Sequence, residues 1–582
     1  MKKFQLFAFA LAAGLMMGCS DEVGNDVNPG GTGSATVGEG FMSVAINLPS
    51  TNGSRASVSG FDDGLPAEYA VKNGKLFIFG GASEATATLQ AIYTLDVSDP
   101  WTDASGQITT TKTIAVSTTD MTGPNFYALV VLNDNSQNLG LTIGTSKISD
   151  LEAKTLAPTS ETTLRTNGFM MTNSPLSQVA GGVSQPTSVT LLKYPSFDKT
   201  KIKSNAQDAL LDPAATIYVE RVHAKVTLSK PQQDQSMTSP STALGTMDIL
   251  GWALDNTNKS TYLMRNAKAS DAWWAYKSTK TGTPAPEYRF IEDDPVAAGL
   301  YRTYWCTDPN YNAAYAAANF NSITSVTDNI KEGKSDPQYC LENTFDTDHQ
   351  TEQNTTAVIV KAQFNGGEDF YVRNSNINTI YNATNAQGVV KGMLLSWLET
   401  VKSTYIKEGT ITESNITSVT LTPDADKKVT ATAIELDDCS GVEWADDQNA
   451  EKQNAEKLEA AMNAQLTEIN KTLNMTFYED GVAYYRLLIK HFGDTDTPWA
   501  EADKSGTDSY PDAAGGVTGE NQWLGRYGMV RNNWYDLTVT GARELGSPTI
   551  PEVTNTYDDD VNNLAVTINI LSWAKRTQNV EL

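Results

Sequence analysis

Histidine and cysteine are scarce in this sequence, which has three histidines and four cysteines among 582 residues. Basic residues are also too few to balance the acidic ones, and the net charge of −26 argues against nucleic acid, whose phosphates would repel the chain. There is no P-loop, GxSxG or HExxH motif, and no Cys/His spacing is typical of a zinc site. We therefore predict a protein that is not an enzyme and has no cofactor or metal.

The cysteines beyond the first are Cys306, Cys340 and Cys439. An odd number of thiols cannot all pair within one chain. Buried free thiols are the first expectation, and one disulfide between Cys306 and Cys340 is the alternative. Among the histidines, His223 lies in an alternating run, where a packed or rim residue is expected rather than a general base.

Two kinds of ligand-binding candidate have plainer alternatives. The acidic runs Asp346–His349 and Asp558–Asp560 could hold calcium through carboxylate oxygens, but neither matches a full calcium loop, so solvated turns are expected. Trp273 and Trp274 could stack on a sugar, yet adjacent aromatic residues more often pack in a core. None of these patterns predicts a specific site.

The N-terminus has the features of a lipoprotein signal peptide. Lys2 and Lys3 precede the apolar run Phe4–Met17, which is too short to span a bilayer. Gly18 then stands before Cys19, the arrangement that a lipoprotein signal peptidase requires. We expect residues 1–18 to be removed and Cys19 to be lipidated, which would place the precursor in the outer membrane.

The remainder of the chain is rich in residues typical of β-strands, so we predict a mainly β fold. Strands are expected at residues 75–80, 89–95, 125–133, 216–228, 247–254, 357–364, 483–490 and 534–540. Helical insertions are expected at residues 388–402 and 445–474; the second has apolar residues at spacings of three and four. A polar, turn-rich stretch at residues 232–240 indicates a domain boundary.

Two segments near opposite ends of the chain share the pattern Val-x-Ile-Asn-aliphatic. Both have the alternation of half-buried strands. The aliphatic residues of the first segment are Met42, Val44, Ile46 and Leu48, and those of the second are Leu564, Val566, Ile568 and Ile570, with Trp573 closing the run. Two strands with the same inward side chains can occupy the same groove.

Arg55 and Ala56 lie in the polar segment after the first strand, where a trypsin-like protease could cut. Removing that strand would open a sheet edge that templates a strand from another chain. Refilling it with four aliphatic side chains would contribute on the order of 6–12 kcal/mol before association costs. Such a contact is head-to-tail and builds a filament. Alternatively, both segments are core strands of one sheet and the match is chance.

Motifs along nearly the whole chain resemble those of the Bacteroidota-type fimbrillins of type V pili, in particular shaft fimbrillins of minor fimbriae. Each motif is weakly specific, but their order is distinctive. They are the lipobox at Cys19, the Met42–Ser43 strand with Arg55–Ala56, and the segments Tyr127–Asn133, Val219–Val226, Trp252–Lys259, Cys340–Thr344, Tyr484–Arg486 and Gly525–Tyr535.

The resemblance implies two β-sandwich-like (transthyretin-like) domains, with helical insertions in the second. The expected divisions are a signal peptide at 1–18, a tether and removable strand at 19–55, domains at 56–231 and 232–563, and a donor strand at 564–582. It also implies that an arginine-specific surface protease cuts after Arg55. The partners would then be identical subunits, anchor and tip subunits of the fimbria, and the outer membrane through the lipidated precursor.

Two other functions fit parts of this sequence. A tip or accessory adhesin would share the fold, but it needs no donor strand at the distal end, and the full segment from Leu564 to Leu582 favours a shaft subunit. A glycan-binding surface lipoprotein would stay anchored at Cys19 and would not polymerise.

Overall fold

A computed structural model describes most of the chain beyond the leader. The described residues are 38–47, 65–98, 109–135, 137, 139–181, 189–230, 237–275, 277–278, 287–288, 290–328, 330, 336–446, 451–489, 491, 524–525, 527–553 and 564–572. Strands predominate over helices, which confirms the mainly β fold class. The finer sandwich architecture and the domain limits stay predictions. None of the described helices is long and apolar enough to cross a membrane.

The strands of the N-terminal part build a sheet in the order β3-β2-β5-β7-β11-β1-β4, with β10 beside β5. In chain order they and their neighbours are β1 (Glu39–Asn47), β2 (Gly74–Gly81), β3 (Thr88–Thr94), β4 (Thr109–Ser117), β5 (Asn125–Leu132), β6 (Thr155–Leu156), β7 (Met171–Asn173), β8 (Leu176–Ser177), β9 (Leu191–Leu192), β10 (Ser196–Phe197), β11 (Ala215–Arg221) and β12 (His223–Ser229). The short helices here are α1 (Pro66–Tyr69), α2 (Ile148–Glu152), α3 (Glu161–Asn167) and α4 (Ala206–Leu211).

Both faces of this sheet are covered at its centre. On β2, Leu76 and Ile78 join one apolar core, and the alternate residues Phe77 and Phe79 join another on the opposite face. Central strands buried on both sides read as continuous apolar runs. The sequence Leu-Phe-Ile-Phe follows from this environment.

The run predicted as one strand at 216–228 forms two strands, which are separated by a bend at Val222 and belong to two sheets. β11 belongs to the first sheet, and β12 belongs to a second sheet with the order β21-β12-β31-β32. The sequence carries a signal of this division, because the aliphatic alternation of Ile217 and Val219 shifts by one residue before it continues at Val222, Ala224, Val226 and Leu228.

The middle of the chain contributes mostly short strands. They are β13 (Asp248–Asp255), β14 (Thr257–Asn258), β15 (Thr261–Tyr262), β16 (Lys277–Ser278), β17 (Glu287–Tyr288), β18 (Ile291–Ala297), β19 (Leu300–Thr303), β20 (Phe320–Asn321), β21 (Gln338–Leu341) and β22 (Ala357–Gln363). The last part adds β23 (Phe370–Arg373), β24 (Ile380–Tyr381), β25 (Ile406–Glu408), β26 (Ile416–Pro423), β27 (Lys428–Leu436), β28 (Glu443–Trp444), β29 (Met475–Tyr478), β30 (Val482–Leu488), β31 (Asn533–Ala542) and β32 (Leu564–Ser572).

A second core lies between the β21-β12-β31-β32 sheet and the sheet β13-β22-β30. Val226 and Leu537 contribute from the first of these sheets, and Trp252 and Val360 contribute from the second. The burial of these residues on one side of each sheet accounts for the alternation that predicted their strands.

Two long helices, α5 (Ala383–Tyr405) and α6 (Ala455–Leu473), pack on the sheet β24-β23-β29-β27-β26 around a third core. The helix predicted at 388–402 is confirmed. The helix predicted at 445–474 begins ten residues later than expected. Asn454 caps its N-terminus by accepting a hydrogen bond from the backbone N–H of Lys457, and the preceding Glu443–Trp444 pairs with β25 instead.

Candidate functional site

The first strand lies inside the N-terminal sheet with a neighbour on each side. β1 runs parallel to β11, with Val44 opposite Ala215, and antiparallel to β4, with Val44 opposite Lys112. Its apolar face is in the core: the exposed fraction is 0% for Met42 and Val44 and 2% for Ile46. The burial predicted for these three residues is therefore present.

The far edge of this sheet depends on β1. Among the described strands, β4 pairs with β1 alone and joins the remainder of the sheet through it. If β1 left, β4 and β11 would both expose unpaired backbone donors and acceptors. A gap of this kind takes a strand from another chain, because the strand satisfies both edges at once.

A segment that we call the strap, residues 198–214, pairs with the first half of β1 on the side opposite β4. Phe41 and Lys203 exchange two backbone hydrogen bonds of 2.8 and 2.7 Å. The hydroxyl of Ser43 donates to the carbonyl oxygen of Ala209 at 2.5 Å, and the N–H of Ala214 donates to the carbonyl oxygen of Ser43 at 2.7 Å. The strap therefore holds β1 by backbone and side-chain contacts.

Gly40 allows the strap to approach this closely. A Cβ atom at this position would lie 2.4 Å from the Cγ2 atom of Ile202 and 3.3 Å from the carbonyl oxygen of Lys203. Since Cγ2 is attached directly to the Cβ of a stiff, β-branched side chain, a bulkier residue would displace the strap itself.

The strap is closed on itself by ion pairs. Asp212 pairs with Lys201 and, at 2.8 Å, with Lys203. Hydrogen bonds from these two lysines lower the pKa of Asp212 to about 2. Between the two ends of the strap, Leu210 and Leu211 on α4 face outward with exposed fractions of 43% and 76%.

A buried ion pair holds α1, which follows the expected cleavage site at Arg55 in the sequence. Glu68 on α1 is 0% exposed and pairs with the ammonium of Lys225 on β12 at 2.9 Å. Tyr339 donates its hydroxyl to the same carboxylate at 2.6 Å, and Arg221 donates through Nε to the backbone oxygen of Glu68 at 2.8 Å. Burial and the Glu68 charge raise the pKa of Tyr339 above its usual range.

The C-terminal strand has a different setting from β1. β32 pairs with β31 and lies at the edge of the second sheet, with Val566 opposite Val539 and Ile568 opposite Leu537. Leu564 and Ile570 lie on the same strand. The two matched segments are therefore in different sheets, and the expectation that both are strands of one sheet is wrong.

Several predicted residues lie outside the described residues. These are Cys19, Leu48, Arg55, Ala56, Trp573 and the acidic run Asp558–Asp560. Local sequence patterns do not identify two buried polar residues: Ser43, whose period-two position predicts an exposed side chain, and Glu68, which no local pattern marks. Their partners Ala209 and Lys225 are more than 150 residues away in the chain.

The remaining candidates are structural. Cys306, Cys340 and Cys439 are free and buried, so the alternative disulfide between Cys306 and Cys340 is not formed. Trp273 and Trp274 are 7% and 4% exposed within an apolar cluster, where no ring face is open to a sugar.

The buried and half-buried histidines also have structural roles. His223 is buried edge-on against Phe169. Asp346 accepts a hydrogen bond from the N–H of His349 and so caps a short turn. Within the described part of the chain, no group of three acidic, histidine or cysteine side chains is placed to hold a metal ion.

Residues 476–579, which contain most of β29 and all of β30 to β32, match the family model for the major fimbrial subunit protein type IV, fimbrillin, C-terminal. This part of the chain is therefore similar to the C-terminal region of fimbrillins. A search of curated protein sequences gave no match.

Three solved structures are similar to this chain at low identity. A protein of Parabacteroides distasonis described as a cell adhesion protein is 10% identical, with 93% of this chain and 99% of that chain covered and a TM-score of 0.37. A Bacteroides eggerthii protein described in the same way is 13% identical, with coverage of 92% and 96% and a TM-score of 0.33. The tip fimbrial protein Mfa3 of Porphyromonas gingivalis, truncated at its C-terminus, is 10% identical, with coverage of 92% and 100% and a TM-score of 0.32. The similarity to fimbrillins rests on the match at residues 476–579.

Proposed function

We infer that this protein is a fimbrillin, and that it is a shaft subunit that polymerises when a protease releases β1 and the C-terminal strand of another copy takes its place. The observation that carries this proposal is the position of β1 between β11 and β4, with β4 joined to the sheet through β1. A strand in this position cannot leave without a substitute. The role is structural, and no catalytic step belongs to this chain.

Once cleavage has released β1, insertion of β32 into the open place forms more backbone ladders than it breaks. In its own chain β32 pairs with one strand, β31, whereas a strand in the place of β1 pairs with two. The pocket left by Met42, Val44 and Ile46 would contribute about 5–9 kcal/mol when refilled by aliphatic side chains, before the cost of association. Leu564, Val566 and Ile568 would supply these side chains, and Ile570 would follow where Leu48 stands in the sequence.

The order of segments supports the same assembly route. Lipidation at Cys19 would bring the precursor to the outer membrane, and an arginine-specific surface protease would cut between Arg55 and Ala56. The tether and β1 would then be separated from the remainder of the chain. Anchor and tip subunits would terminate a filament of identical copies joined head-to-tail.

N-terminal sequencing of fimbriae extracted from the surface tests this route directly. We expect Ala56 as the first residue of the polymerised subunit and SDS-resistant ladders in gels. In an Arg55→Ala variant we expect monomers, while Arg543→Ala, which changes an exposed arginine elsewhere, should polymerise normally. A polymer that begins at Cys19, or ladders from the Arg55→Ala variant, would refute the proposal.

A further inference from the structure

The strap makes two contacts with β1 that depend on the identity of a side chain. Gly40 leaves room for Ile202, and the hydroxyl of Ser43 bonds to the carbonyl oxygen of Ala209. The contact between Phe41 and Lys203 uses backbone atoms and would be available to any strand. The strap therefore recognises β1 at two positions.

A donor strand aligned by the shared pattern differs at both positions. When Val566, Ile568 and Asn569 take the places of Val44, Ile46 and Asn47, the residue at the place of Gly40 is Asn562. The residue at the place of Ser43 is Ala565, which has no hydroxyl to donate. The donor thus puts a Cβ atom where the strap leaves no space, and it lacks the hydrogen bond to Ala209.

We propose that the strap distinguishes the two strands: it closes on β1 in the precursor and stands open over the donor strand in the polymer. This inference rests on the proposed strand exchange. Gly40 and Ser43 are specificity-determining residues in this view, since they retain β1 until cleavage and do not lock the incoming strand. When a strand that the strap holds is replaced by one that it does not hold, the strap has to open only once.

Opening of the strap would also affect the two exposed leucines, Leu210 and Leu211, that the strap carries. Leu210 and Leu211 lie on the strap segment between Lys203 and Ala214, both of which are attached to β1 in the precursor. When the close packing of Ile202 over Gly40 and the hydrogen bond from Ser43 are lost, the segment that carries these leucines is free to change its position against the neighbouring copy.

Hydrogen–deuterium exchange of the full-length precursor and of the purified polymer tests this inference. We expect amides of residues 198–214 to exchange slowly in the precursor and at least tenfold faster in the polymer. Equal protection in the two forms would overturn the inference. Ladder formation, measured on the same samples, reports separately on the strand exchange, so the failure of one idea is distinguishable from the failure of the other.

Substitutions in the precursor test the two contacts individually. Ser43→Ala should raise the exchange rates in the strap roughly two- to tenfold through the loss of one buried hydrogen bond. Gly40→Ala should raise them more. In the double variant with Gly40→Ala and Ile202→Ala, the rates should equal those of Ile202→Ala alone, because the Cγ2 atom that meets the added Cβ atom is then absent. Gly388→Ala is the matched control, since a Cβ atom there would meet no atom within 4 Å. Unchanged exchange in both Gly40→Ala and Ser43→Ala would contradict the assignment.

Substitutions in the donor provide the reverse test. Polymers of a double variant with Asn562→Gly and Ala565→Ser should regain slow exchange in residues 198–214, because the donor then presents the residues that the strap fits. If these polymers form with a strap as exposed as in the wild type, Gly40 and Ser43 do not determine strap closure.

Discussion

At the scale of single residues, Glu68 carries the strongest energetic argument. Its carboxylate and the Lys225 ammonium are both essentially unexposed, and Lys225 also lies 3.7 Å from the centroid of the Trp534 ring. Removing one member of a buried ion pair leaves the other charge without compensation. Glu68 lies on α1, so this pair fixes α1 to β12.

We expect Glu68→Gln to lower the free energy of unfolding by about 3–5 kcal/mol. The same substitution at Glu161, which forms an exposed pair with Arg165, should change it by no more than about 0.5 kcal/mol. Urea denaturation of both variants measures the difference. Equal effects at the two positions would show that burial of Glu68 does not control its contribution.

His223 predicts a pH dependence. Burial lowers its pKa to about 4, and neither ring nitrogen has a hydrogen-bond partner among the described residues. Because the unfolded chain takes up this proton near pH 6.5 and the folded chain only near pH 4, stability falls as the pH drops between these values. The loss from this group between pH 7 and pH 4.5 is about 2–3 kcal/mol.

The measurement compares the pH dependence of unfolding in the wild type and in His223→Gln. Between pH 7 and pH 4.5, the free energy of unfolding of the variant should fall by about 2–3 kcal/mol less than that of the wild type, whatever the variant's stability at pH 7. His349→Gln, at a half-exposed position, controls for the removal of a histidine. Parallel curves for the wild type and His223→Gln would exclude a buried neutral imidazole at position 223.

At the scale of elements, local patterns predicted what neighbouring residues determine. Alternation identified β1 through Met42, Val44 and Ile46, because a strand with one face in the core repeats at every second residue. The same rule places Ser43 on an exposed face, and it fails there because the strap covers that face from 166 residues away. No sequence pattern reveals which segment will cover a strand.

The start of α6 and the position of β1 in its sheet also depend on tertiary contacts, which local sequence patterns do not contain. The spacing of Leu458, Met462 and Leu466 identified α6 correctly, since these residues are buried on one face. Its start depended on the Asn454 cap and on the pairing of the preceding residues with β25, which is a tertiary contact. The position of β1 between β4 and β11 is likewise a property of the sheet and not of the strand.

An isoleucine-to-alanine substitution should affect the precursor when it is made in β1 and the polymer when it is made in β32. Ile46→Ala should destabilise the precursor by about 2–5 kcal/mol, as expected for a 2% exposed core side chain. It should leave the polymer unaffected, because the proposed exchange removes β1 from the subunit. Ile568→Ala should weaken the polymer against heating in SDS. Thermal unfolding of precursors and ladder stability test this pair, and a polymer weakened by Ile46→Ala would show that β1 is retained.

At the scale of the whole molecule, the proposed exchange gives each copy two independent connections, a donor strand at one end and a groove at the other. A subunit that keeps β1, as in Arg55→Ala, has a donor strand but a filled groove. A processed subunit that lacks residues 564–582 has an open groove but no donor. Each variant alone has only half of what a filament contact requires.

Mixing these two variants should therefore give heterodimers and no longer species. The donor of the uncut subunit enters the groove of the truncated one, and neither partner can extend the chain further. Gel filtration with SDS gels measures the size, and tagging one variant identifies the composition. A mixture that remains monomeric would exclude residues 564–582 as the donor, while trimers or ladders would reveal a contact other than the replacement of β1. Adding either variant to processed wild-type subunits should shorten the ladders from opposite ends, since one fills the last open groove and the other accepts the last free donor.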